Sequence, residues 1–139
     1  MGEIFQLVYF SEAADDLSYT DIKEILEVSR THNAKAEITG LLIYKDGHFL
    51  QLLEGQEEKV RTTLERIRHD DRNYKVKILI EGPAKQRLFP TWSMAFHDGD
   101  IASNPNPAVE KLFTAPKTMK PADILPLLQS FRDHTDEFH

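Results

Sequence analysis

Two apolar runs, EITGLLIY and HFLQLLEG, flank Lys45-Asp46-Gly47, and no other stretch of the chain limits the fold as much. An Asp-Gly pair accepts the positive φ angles of a tight hairpin, so the runs are expected to pair antiparallel. The second run contains an anomaly. Gln51 sits in the middle of a segment otherwise apolar enough to be buried. A primary amide there must find hydrogen-bond partners or destabilise the fold by about 1–3 kcal/mol.

The flanking sequence supplies the rest of an α+β pattern. EIFQLVYF, Glu3 to Phe10, has the length and the β-branched and aromatic content of a first strand. LSYTDIKEILEVSRTHN then changes period: Ser18 or Thr20 can cap, Asp21 lies in the first turn, and Ile22, Ile25, Leu26 and Ser29 share a helical face that ends at Asn33. EEKVRTTLERIRHD from Glu57 places Val60, Leu64 and Ile67 on one stripe, with acids first and bases last. YKVKILIEG alternates as a half-exposed strand, and TWSMAF reads as a short last strand after Pro90.

The order βαββαββ predicts a ferredoxin-like sandwich: a five-stranded mixed sheet with two helices on one face. Right-handed crossovers are expected to set the first and third strands side by side and parallel at the centre. Strand phase then groups Phe5, Leu7 and Tyr9, then Phe49, Gln51 and Leu53, then Trp92, Met94 and Phe96. If these face the helices, the Tyr9 phenol can donate to the Gln51 amide oxygen. The NH2 end still needs an acceptor, and Asn33 adds a second amide to the layer. A polar heterocycle between the helices would satisfy both.

Composition narrows the function. With 139 residues, 40% of them hydrophobic, the chain suits one core plus an appendage. Lys and Arg total 17 against 23 Asp and Glu, a net charge of −6, which argues against a phosphate-neutralising surface and hence against nucleic acid as a partner. The absence of cysteine excludes disulfides, thiolate metal sites and a cysteinyl cofactor adduct. Six histidines show no metal-ligand spacing, and no GxSxG, Walker or GxGxxG pattern occurs. The first residues lack a basic leader, and no run approaches the roughly 18 apolar residues of a membrane span. A soluble cytoplasmic protein without a membrane partner is expected.

QLVYFSEA, SRTHNAKAEITGLLIYKDGHFLQLLEG, RIRHDDRN and FPTWSMAF resemble, in order and spacing, the BLUF family of blue-light receptors that use flavin adenine dinucleotide. The resemblance runs from Met1 to about Phe96. It implies noncovalent FAD, with FMN or riboflavin able to substitute, and a photoreceptor rather than an enzyme. Tyr9 resembles the phenol that gives an electron and a proton to the excited flavin. Gln51 resembles the amide between that phenol and flavin N5 and O4. Asn33 resembles the amide holding the ring's carbonyl edge, and His32 fits the position beside it. Ile25 and Ile67 match the residues that sandwich the ring, and Arg66, Asp70 and Arg72 match a flavin-contacting segment. Trp92 and Met94 match the strand that passes the signal on. One departure is Asn73, which stands where the family commonly has His.

Residues 1–97 are thus expected to form the flavin-binding photosensor and residues 98–139 a linker and helical extension. In the extension HDGDIASNPNP reads as linker and AVEKLF as a short helical piece. Asp123 can cap a last helix, with Pro126 in its permissive first turn and Ile124, Leu127, Leu128 and Phe131 on one face. With no catalytic output segment recognised, a short stand-alone sensor is expected. It would signal to an unidentified downstream protein or through a homo-oligomer. A ferredoxin-like binding module without photochemistry and a small flavoenzyme are the competing readings.

Overall fold

The computed structural model describes residues 3–91, 93–98, 100, 107–114 and 120–132. Its organising unit is the hairpin of β2 (Thr39–Lys45) and β3 (His48–Gly55), turned by Asp46 at φ 49° and Gly47 at φ 75°. Both angles are positive, as a two-residue turn matched to strand twist requires. Around it are β1 (Ile4–Ala13), α1 (Tyr19–Ala36), α2 (Glu57–Arg68), β4 (Asn73–Ala84), β5 (Ala95–Asp98), α3 (Pro107–Thr114) and α4 (Pro121–Arg132).

The five strands lie in the order β4-β1-β3-β2-β5. Among the described residues only β2 and β5 pair in parallel, which makes the sheet mixed as expected. Strands β1 and β3 are neighbours but antiparallel, contrary to the parallel pairing expected from crossover handedness. The reason is parity. A helix returns the chain so that β2 runs with β1, and the hairpin then reverses β3.

Helix α1 starts at a capping box: the Asp21 N–H donates to Ser18 Oγ at 3.1 Å and the Ser18 N–H to Asp21 Oδ2 at 2.9 Å. It runs one turn past Asn33 to Ala36 and stops where Glu37 turns left-handed at φ 57°. The Ile38 N–H then closes back on the Asn33 carbonyl at 2.8 Å. The last strand is shorter than the TWSMAF run predicts. Its ladder begins at Ala95 opposite Leu41, and Met94 precedes it. Trp92 lies outside the described residues. Helix α4 begins two residues before Asp123, whose N–H donates to the Lys120 carbonyl at 2.9 Å. Asp123 is therefore inside the first turn rather than the cap, and Pro126 falls in the second turn.

The central strands of the sheet are buried on both sides. Phe5, Leu7, Tyr9, Phe49, Leu53 and Met94 face α1 and α2 through Ile22, Leu26, Val60 and Leu64. Val8, Leu41, Ile43, Leu50 and Leu52 face α3 and α4 through Val109, Phe113, Ile124, Leu127, Leu128 and Phe131. This explains why HFLQLLEG is apolar almost throughout instead of alternating: β3 has no solvent face. Lys45 Nζ binds Glu110 Oε1 at 3.1 Å, and the Phe10 and Phe113 rings meet edge-on at 5.6 Å, which fixes α3 to the hairpin end.

At the end of β3 the Glu54 side chain is fully buried. Its carboxylate accepts from the Leu88 N–H at 2.6 Å, the Phe89 N–H at 3.0 Å and Gln6 Nε2 at 3.1 Å. Arg87 closes the same corner, donating to the Glu54 and Glu37 carbonyls at 3.1 and 2.8 Å. Together they hold the connection between β4 and β5 against the sheet. Each bond to a charged acceptor contributes on the order of 1.5–3 kcal/mol, and stranding the donors costs the same order. Glu54→Leu is expected to lower unfolding free energy by about 3 kcal/mol or more in urea titration. A loss under about 1 kcal/mol would show that the corner holds without the carboxylate.

Candidate functional site

Cross-strand register builds the site. Tyr9 and Gln51 are direct partners between β1 and β3, so both side chains leave the sheet on the α1/α2 face. The Tyr9 hydroxyl donates to Gln51 Oε1. The other end of the amide, Nε2, donates to the Met94 sulfur at 3.4 Å. These contacts supply the partners that the buried Gln51 requires. They are unequal: the oxygen takes a phenolic O–H, whereas the nitrogen finds only a thioether, a weak acceptor.

Three bonds set the position of Met94. Besides the sulfur contact, its carbonyl accepts from Arg30 Nε at 3.0 Å, and the preceding Ser93 carbonyl accepts from Asn33 Nδ2 at 2.9 Å. Arg30 and Asn33 are one turn apart on α1 and reach the same backbone. Gly40 makes room for this packing: a Cβ there would lie 1.9 Å from the Leu52 carbonyl oxygen and 3.5 Å from the Met94 methyl. Neither Arg30 nor Gly40 carries a motif, and sequence reasoning missed both.

A cavity of about 270 Å³ opens above the Tyr9–Gln51 pair, between the helices. Its floor is Tyr9, Leu42, Phe49 and Gln51, one wall is Ile25, Val28 and Ser29 of α1, and the other is Arg66 and Ile67 of α2. Asp70, Arg72 and Asn73 line it past the end of α2. Of the residues expected at a flavin, Tyr9, Ile25, Gln51, Arg66, Ile67, Asp70 and Arg72 meet here. Asn33 is buried beside Met94 and His32 points elsewhere: its Nε2 bonds Thr63 Oγ1 at 2.9 Å, bridging α1 and α2 at a separate groove with Lys35 and Lys59. Val28, Ser29, Leu42 and Phe49 were not singled out, since as apolar or small residues they carry no chemical signature of a site.

The electrostatics suit a planar, polar guest. Burial, and secondarily the charge of Asp70, raises the Tyr9 pKa far above its ordinary 10.0, so the phenol is neutral. Arg72 grips Asp70 with Nε to Oδ1 at 3.0 Å and Nη2 to Oδ2 at 2.7 Å, and this hydrogen bonding holds the Asp70 carboxyl below the usual carboxylate range. Burial, with Arg66 nearby, lowers the His32 pKa. Two buried amide oxygens, Asn33 Oδ1 and Asn73 Oδ1, have no hydrogen-bond partner. So does Ser11 Oγ, which does not line the cavity. Apolar walls from Ile25 and Ile67, an amide on the floor, the unmatched Asn73 oxygen at the edge and cations at the end fit a flavin's ring and its anionic tail.

Comparison with known proteins agrees. The sequence matches the BLUF family, described as sensors of blue-light using FAD, over residues 4–95. It is 34% identical over 92 residues, 66% of this chain and 23% of the relative, to the blue light- and temperature-regulated antirepressor BluF of Escherichia coli. The fold matches the dark-state structure of BlrB, a BLUF protein, with a TM-score of 0.84, 26% identity, and coverage of 96% of this chain and 98% of that one. A bacterial light-regulated adenylyl cyclase gives a TM-score of 0.78 and 33% identity over 83% of this chain and 34% of its own. The chain spans less than a quarter of the curated relatives it matches.

The Tyr9 environment has a consequence at alkaline pH. In the unfolded chain Tyr9 loses its proton through pH 10.0, whereas in the fold its raised pKa keeps it protonated. Its contribution to stability is full below that pH and declines as pH rises further. Wild-type protein is expected to lose stability above about pH 10 more steeply than Tyr9→Phe, measured by chemical denaturation across that range. Equal slopes for the two proteins would refute a buried neutral phenol.

Proposed function

The chain belongs to the BLUF family, blue-light photoreceptors that use FAD, and on that footing we propose that Tyr9, Gln51 and Met94 are its switching relay and that the relay reports to the helices on the far face of the sheet. The observation that carries this reading is the Gln51 amide held between Tyr9 and Met94. Bound flavin supplies blue-light absorption and a transient acceptor for an electron and a proton.

Tyr9 is the donor. Its buried phenol is neutral, and its proton points along a hydrogen bond to Gln51 Oε1, so the proton and the electron can leave together and return. Gln51 keeps the record. A carboxamide has one accepting and one donating end, and reversing them by rotation or tautomerisation rewires the layer without a covalent product. The weak bond to the Met94 sulfur is the one most easily given up. Ile25 and Ile67 would hold the ring's faces, Asn33 its polar edge, and Arg66, Asp70 and Arg72 would line the polar end of the cavity. His32 supports the site from the bridge to Thr63, keeping α1 and α2 at a fixed separation.

Output follows the backbone from Met94 into β5. His97 on that strand packs its ring against Phe131 of α4, with centroids 4.8 Å apart. A hydrogen-bond change of about 1–3 kcal/mol shifts a two-state packing equilibrium roughly 5- to 150-fold. We take residues 1–97 as the photosensor and 98–139 as the responding extension, with Trp92 a further contributor on the connecting segment. The reading is supported by the family match, which ends at residue 95, and by the packing of α3 and α4 on the opposite face from the cavity. A second protein or a second copy of this chain would receive the change. The chain itself is read as a sensor, since the family it matches is described as one. No helix among the described residues is long and apolar enough to cross a membrane, which is compatible with a cytoplasmic location.

An absorption spectrum before and after blue light tests the relay. Wild-type protein should show a small reversible red shift. Tyr9→Phe should retain flavin and lose the shift; a normal photocycle in that variant would remove Tyr9 from its role. Asn33→Ala should instead weaken flavin retention by about 1 kcal/mol or somewhat more. For output, Met94→Ala should keep the red shift yet diminish the light-induced change in hydrogen exchange of α4. Undiminished transmission in that variant would exclude this route.

A further inference from the structure

We propose that Asn73 is a built acceptor for a hydroxyl of the flavin's ribityl chain, a contact that rests on the FAD-binding reading above and deepens it. Asn73 opens β4 immediately past α2, and only 9% of it is exposed. Its Nδ2 donates to the Ile67 and Asp70 carbonyls at 3.0 Å each. Both amide hydrogens are spent, and the plane of the group is fixed by the end of the helix. The opposite atom, Oδ1, is buried without a partner, and the side chain lines the cavity. A pinned, desolvated carbonyl oxygen at a cavity wall calls for a donor from whatever fills the cavity.

A flavin has few donors. Its ring carbonyls, N1, N5 and phosphates all accept, which leaves ring N3–H, the hydroxyls of the polyol chain and, in FAD, the amino group and hydroxyls of the adenosine beyond the phosphates. Asn73 shares its cavity with Ile25 and Ile67, the walls for the ring, which favours the donors on the ring's side of the phosphates. N3–H has a rival acceptor in Asn33 Oδ1, equally buried and equally unpartnered. The two amides belong to opposite edges of the sheet: Asn33 binds the segment leading into β5, and Asn73 begins β4 at the other edge. One N–H cannot serve both. Asn73 is also grouped with Arg66 and Arg72, cations suited to the phosphate to which the polyol chain leads. A hydroxyl of that chain is the donor its position selects.

The test compares riboflavin, which carries the chain, with lumiflavin, which has a methyl group in its place, on full-length protein freed of bound flavin. Asn73→Ala should weaken riboflavin roughly 3- to 10-fold and lumiflavin by less than about 2-fold, read by quenching of flavin fluorescence. Because alanine also removes the Nδ2 bonds at the end of α2, Asn73→Asp serves as a second variant. It keeps an acceptor oxygen while losing those donors, so it should melt earlier yet preserve the preference for riboflavin. Equal losses for both ligands in Asn73→Ala, or loss of the preference in Asn73→Asp, would overturn the proposal in favour of a purely structural cap. Wild-type protein that binds neither ligand would overturn the flavin reading itself, and this contact with it.

Discussion

The register of one residue pair, Tyr9 opposite Gln51, is the constraint on which the site depends. Strand side chains alternate, so a slip of one residue between β1 and β3 would send one partner into the other core. The apolar residues on either side resist it. Leu7 against Leu53 and Val8 against Leu52 are also register partners, and each belongs to a different face. Several buried leucines, each stabilising by roughly 1.5–3 kcal/mol, thus fix the geometry of a hydrogen bond whose own net contribution is nearer 1 kcal/mol. The polar pair is placed by packing; it does not hold the sheet together.

Glu54 does the same for the segment between β4 and β5. Leu88 and Phe89 are apolar anchors of that connection, and the carboxylate takes the backbone N–H of both. From the other end, Arg30 and Asn33 hold the Ser93 and Met94 carbonyls. Leu88 and Phe89 are consequently held from Glu54 at the sheet's end, and Ser93 and Met94 from α1. The sulfur of Met94 meets Gln51 there, where a change of partner strains no ladder bond.

Much of this was legible in the sequence, and the reasons differ by residue. The hairpin was readable from Asp46-Gly47, the start of α1 from Ser18 and Asp21, and the shared face of Tyr9 and Gln51 from period-two phase alone. The antiparallel sense of β1 and β3 follows from parity of turns, and handedness arguments applied to the wrong pair missed it. The start of β5 was misjudged because Met94 and Ala95 are equally compatible with a strand; tertiary bonds from α1 decide which joins the ladder. Glu54 carried no local signal, since nothing in the sequence announces two N–H donors 34 and 35 residues away. Gly40 was silent because its function is the absence of a side chain. Asn73 registered only as a departure from a resemblance, and its hydrogen bonds to the end of α2 were needed to see which of its atoms is left over.

Leu50 and Leu52, the residues flanking Gln51 in β3, belong to the core that α3 and α4 cover. What that face asks of its cover is apolar area of suitable shape, not a particular sequence. The sheet is therefore a socket as much as a wall. Any amphipathic element that seats on Val8, Leu50 and Leu52 lies one peptide away from the Gln51 amide. An architecture of this kind constrains its cover by shape and leaves the cover's sequence largely free.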